Sequence, residues 1–160
     1  MNANTLHKRA YARGSTSIKL LVLTVLIFTL VVLLLPSGDD KVRARVEQGL
    51  GQLAPAKSAL AAACRGGGRK VVTRNADAGF YFVESVYIAE IRLQADCATG
   101  EMGIHIRTQN TGAEMDPEIL LISNMSNPAE AEAQPEWRCG IARGEITHVP
   151  DNCRTVLSLG

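Results

Sequence analysis

The chain has 160 residues and a formal net charge of +1, and that average hides two unlike parts. Residues 1–35 hold Lys8, Arg9, Arg13 and Lys19 and no acid, whereas residues 36–160 hold the remaining 13 Lys/Arg and all 16 Asp/Glu. A second part of about 125 residues builds one core and hardly two, which argues against a multidomain enzyme or a polytopic transporter; its mild acidity argues against a cationic nucleic-acid coat.

Residues 1–17 read as a basic leader. From Ile18 through Lys19 and Leu20 to Leu35 the chain is apolar except for Lys19, Thr24 and Thr29. As a helix, 18–35 would span about 27 Å, close to the roughly 30 Å of a hydrocarbon core. Lys19 lies at its first edge, where a long cationic side chain reaches the headgroups. Thr24 and Thr29 can bond back to helix carbonyls. Cations precede the span, and Asp39 and Asp40 follow it. This bias predicts a single-pass anchor with the N-terminus cytoplasmic and residues 36–160 exported. A cleaved signal peptide fits less well, because the apolar run exceeds 7–15 residues and no A-x-A follows it.

Val42, Val46, Leu50 and Leu53 recur at helical spacing and predict an amphipathic helix over 39–63. Asp39 and Asp40 sit at its start, where the helix dipole favours anions. Gly49, Gly51 and Pro55 weaken it, and a kink or break near Pro55 is expected. Residues 65–79, with three consecutive glycines, read as a loop. It carries Arg65, Arg69, Lys70 and Arg74 in ten residues without a carboxylate, a possible contact for DNA or another anionic partner. No aromatic residue interleaves with these cations, so a solvated loop is the plainer reading.

A sheet is expected over 80–123. Phe80–Val83 is aromatic and β-branched, and Ile91, Leu93 and Ala95 alternate with Arg92, Gln94 and Asp96. Ala98-Thr99-Gly100 turns the chain, and Ile104 and Ile106 alternate with His105 and Arg107 on the return, an antiparallel hairpin with one buried face. A third strand is expected at 119–122 and a fourth around Trp137. Residues 127–135 read as an exposed Ala/Pro-rich acidic loop, and the C-terminal region 137–155 as a stapled segment.

Cys64, Cys97, Cys139 and Cys153 all lie in the exported part. None stands in a C-x-x-C pair, and no histidine falls at zinc-finger spacing, so no metal site is expected. An even count in a small exported domain favours disulfides. Three connectivities are possible, of which Cys64–Cys97 with Cys139–Cys153 is the simplest. No nucleophile–base spacing and no G-x-S-x-G, H-E-x-x-H or P-loop suggests catalysis. No cofactor is implied.

The chain resembles the type IV pilins. Val42–Leu50 and Lys57–Leu60 resemble the pilin spine helix, Tyr81–Val86 the first strand, and Gly103–Ile106 the second. Trp137-Arg-Cys139 followed by Val149-Pro-Asp-Asn-Cys153-Arg154 is similar to the family's C-terminal pattern. The resemblance implies an α+β fold: a membrane and spine helix packed on a four-stranded antiparallel sheet, with Cys139–Cys153 closing a C-terminal loop. It implies a structural subunit in the bacterial inner membrane, its domain periplasmic or carried out on a pilus. Its partners would be other pilin subunits or pilus assembly proteins, serving adhesion, motility or DNA uptake. The N-terminus departs from the pattern. The candidate processing site is Gly14–Ser15, and the run that follows places Lys19 where pilins carry a glutamate. A lysine there reads as an interfacial anchor and suggests the alternative of a permanently anchored, unpolymerised binding or regulatory module.

Overall fold

A computed structural model of the chain describes residues 18–32, 37–65, 70–124 and 135–158. The chain divides into two units, 1–37 and 38–160. In the first, residues 18–32 form helix α1. Its apolar side chains are exposed throughout. Thr24 Oγ1 donates to Leu20 O (2.9 Å) and Thr29 Oγ1 to Val25 O (3.0 Å), so neither hydroxyl is left without an acceptor.

The second unit opens with two helices where one was expected over 39–63. Helix α2 spans Gly38–Leu50 and helix α3 spans Ala54–Cys64. The chain leaves α2 through tight turns in which Gln52 N donates to Gly49 O (3.0 Å) and Leu53 N to Leu50 O (3.2 Å). Pro55 then lies in the first turn of α3. Its missing N–H is tolerated there, so the proline starts the second helix rather than kinking the first. Val42, Val46 and Gly49 of α2 and Ala56, Leu60, Ala61 and Cys64 of α3 are buried. Gly49 marks a close approach to the sheet: a Cβ added there would lie 2.8 Å from Ile88 Cδ1.

The sheet is a five-stranded antiparallel meander of β1 (Val71–Val72), β2 (Ile88–Asp96), β3 (Glu101–Thr108), β4 (Glu118–Asn124) and β5 (Arg138–Arg143), in the spatial order of the chain. The four long strands include the expected hairpin, which turns at 97–100 with Gly100 at φ +81°. Strand β1 is an addition. It lies inside the segment read as a loop, paired through Val71 with Asp96 and Val72 with Ala95. Two residues carry too little periodicity to declare a strand, and the ladder partner decides it.

One register row places Ile91, Ile106, Ile119 and Ile141 side by side across β2–β5, all buried in the core that α2 and α3 share with the sheet. The row beside it holds Glu90, Arg107, Glu118 and Arg143, alternating in sign from strand to strand. The pleat sends adjacent rows to opposite faces, so the first row forms the core and the second a charged outer face.

The stretch Phe80–Val83 joins no strand, and β2 begins only at Ile88. The expected first strand at Tyr81–Val86 is therefore corrected. Its site on the edge of β2 is occupied by a side chain. Asn75 Nδ2 donates to Ile91 O (2.6 Å) and Asn75 Oδ1 accepts from Leu93 N (2.8 Å), satisfying both groups of the ladder. Phe80 and Phe82 pack against the core instead, while Tyr81 and Val83 are exposed.

Candidate functional site

Two disulfides are formed. Cys64–Cys97 joins the end of α3 to the turn after β2, and Cys139–Cys153 closes the C-terminal segment. The second bridge holds a loop with two short 3-10 turns, Ile146–His148 and Asp151–Cys153. The first of these turns docks on α2. His148 is buried, with Nε2 3.4 Å from Asp39 Oδ1 and 3.7 Å from Glu145 Oε2. Arg43 Nη2 donates to Asp40 (2.7 Å), and its Nη1 lies 3.8 Å from Asp151 Oδ1, which also accepts from Arg154 Nη2 at 2.8 Å. Asp39, expected only to complement the dipole, thus also meets the C-terminal loop, and Asp40 pairs with the Arg43 that reaches toward Asp151. A cavity of about 290 Å³ lies between the α2–α3 break and the bridge, lined by Glu47, Leu53, Lys57, Cys139 and Asn152 among others. Trp137 is half-buried beside it, its ring 5.9 Å from Lys57 Nζ.

Beyond Cys153 the tail returns along β5. Ile141 N donates to Thr155 O (2.8 Å) and Leu157 N to Ile141 O (3.0 Å). Leu157 lies over Gly140, where any side chain would collide with it. The edge of β5 is thereby covered in the same way that Asn75 covers β2, which blunts uncontrolled strand pairing.

The four cations of 65–74 are not equivalent. Arg65 and Lys70 are exposed, and Arg69 lies outside the described residues. Arg74 is paired with Asp77 at 3.1 Å, a carboxylate just beyond the window read from the sequence. The guanidinium of Arg74, followed by backbone donation from Thr73, holds the Asp77 carboxyl below its ordinary range. The structure also brings aromatic residues to this region. Phe80, Tyr81 and Phe82 line a cleft with Arg74 and Arg92, an interleaving that sequence order did not reveal.

Of the N-terminal residues singled out, Ile18, Lys19 and Leu20 belong to α1, while Gly14, Ser15 and Leu35 lie outside the described residues. Among the described residues no helix is long and apolar enough to cross a membrane. Nor do they contain a cluster of three or more His, Cys, Asp or Glu able to hold a metal ion.

A pair of helices laid on an antiparallel meander, with a disulfide-closed loop docked against α2, defines a small α+β domain. The family model described as Pilin (bacterial filament) matches residues 42–154, from the first buried valine of α2 to the arginine after Cys153. That span is most of the chain, and the chain belongs to the type IV pilin family. No curated protein and no solved structure matches it significantly.

Proposed function

We propose that the chain is a filament subunit. It is held in the bacterial inner membrane by residues 18–35, with its head periplasmic, until its N-terminal helix packs laterally with those of other subunits in a type IV pilus. The observation that carries this reading is the pilin match over the head together with the exposed apolar side chains of α1, interrupted only by Lys19, Thr24 and Thr29. Such a surface is stable only in lipid or against other helices. At 1.5 Å per residue the described helix is about 22 Å long, against the roughly 30 Å of a hydrocarbon core. The work of the subunit is assembly, with adhesion, motility or DNA uptake as the outcome of the filament.

Lys19 favours a second reading. A cation on a helix that must be buried among apolar neighbours is costly. At the membrane edge it is stabilising. A head permanently anchored beside the pilus machinery, never extracted, accommodates it without penalty.

N-terminal sequencing of the mature protein, combined with immunogold electron microscopy of sheared filaments, separates the two. Filament labelling with a mature N-terminus at Ser15 is expected for the subunit. An intact Met1 found solely in the membrane fraction would replace it with the anchored module.

A further inference from the structure

We propose that the cleft beside the edge of β2 binds a neutral oligosaccharide. The cleft has a volume of about 570 Å³ and is lined by Thr73, Arg74, Tyr81, Glu90 and Arg92 among others. That size falls within the roughly 300–1,000 Å³ of small-molecule sites.

The chemistry of its walls selects the ligand class. Tyr81 is 82% exposed, while Phe80 and Phe82 on either side of it pack against the core. The ring is thus presented to solvent on a backbone anchored at both flanks. An exposed aromatic face is apolar at its centre and polar only at the hydroxyl. It suits the C–H face of a pyranose, which is apolar while its rim carries hydroxyls.

The cations of the cleft are each matched by a carboxylate. Arg92 Nε donates to Glu90 Oε1 (2.6 Å) and its Nη2 to Oε2 (3.1 Å), a bidentate pair. Arg74 Nη2 donates to Asp77 Oδ1 (3.1 Å). Arg107 adds a further contact to Glu90, at 3.4 Å. A polyanion binds by replacing counterions on uncompensated cations, and here it would meet two carboxylates. A sugar hydroxyl is both donor and acceptor, and an Arg–carboxylate pair offers both functions on one rigid plane. The same pairs that weaken the case for DNA therefore favour a neutral polyhydroxylated ligand. The site lies on the head and is independent of filament entry, so its failure would leave the proposed function untouched.

The test uses the full chain in detergent micelles and saturation-transfer NMR with cellotetraose, maltotetraose and chitotetraose, each at millimolar concentration. At least one is expected to receive saturation on its ring C–H protons. Tyr81→Ala should weaken its binding by roughly tenfold, while Tyr81→Phe keeps most of it. Loss of binding in Arg92→Ala would add to the case. The proposal is overturned if none of the three binds, if Tyr81→Ala binds as the parent does, or if a dodecameric oligothymidylate occupies the cleft in preference to all three.

Discussion

Asn75 does the work of a strand residue without belonging to a strand. Its amide pairs the carbonyl of Ile91 and the N–H of Leu93. Replacing it by alanine leaves two ladder groups without partners, and Asn75→Ala is expected to lower stability by roughly 1–3 kcal/mol. Urea unfolding checks the size, and faster exchange of the Leu93 amide checks the cause. At the neighbouring Glu90, hydrogen bonding from Arg92 is the largest influence that holds the carboxyl below its ordinary value of 4.5. The unfolded chain then binds that proton more readily than the folded one. The pair's contribution is present above the unfolded value and is lost as pH falls through the lower folded one. The urea midpoint should therefore drop on going from neutral pH to about pH 3, and by less in Glu90→Gln. An equal drop in both proteins would show that this pair is not among the groups responsible. The acidic side chains were legible as charges in the sequence, but their partners were not. Asp77 stands three residues beyond Arg74, the cation it pairs, and Glu90 meets Arg107 only through strand register.

At the scale of elements, the open edge of β5 is covered by chain from elsewhere in the sequence. The C-terminal tail pairs with Ile141, and Leu157 occupies the space above Gly140. A side chain at 140 must displace it. Gly140→Val is expected to cost about 1–3 kcal/mol through overpacking. Combining it with Leu157→Ala should recover part of the loss, which a double-mutant thermal unfolding cycle would read as coupling. The glycine does not announce this role in the sequence, because the leucine it accommodates is 17 positions away by number. The helices show the opposite balance. The apolar spacing of Val42 and Val46 was readable, and so was an interruption, kink or break, near Pro55. That the proline begins α3 instead of bending a single helix depended on the turn at 51–53, where Gln52 and Leu53 bond back to the end of α2.

For the whole head, the two disulfides tie the ends of elements that sequence order leaves apart. The bridges close separations of 33 and 14 residues. In the chain-entropy model these stabilise by about 4 and about 3 kcal/mol. Cys64→Ser/Cys97→Ser is therefore expected to cost more than Cys139→Ser/Cys153→Ser in denaturant unfolding. The reverse order would mean that the docking of the C-terminal loop on α2, through His148 and Arg43, depends on its bridge more than loop length predicts.

The sequence by itself determined the division into an apolar, basic N-terminal part and an acidic head, the amphipathic faces of the helices, the central hairpin and the C-terminal cysteine pattern. These are properties of spacing and composition, carried by neighbours along the chain. Tertiary structure alone decided that Val71–Val72 is a strand and Phe80–Val83 is not, that Asn75 and Leu157 guard the edges, and that Tyr81 stands in a cleft with Arg74 and Arg92. Each of these depends on which groups compete for one position in space. A strand exists only where a ladder partner is free, and a cation is available only where no carboxylate has reached it first.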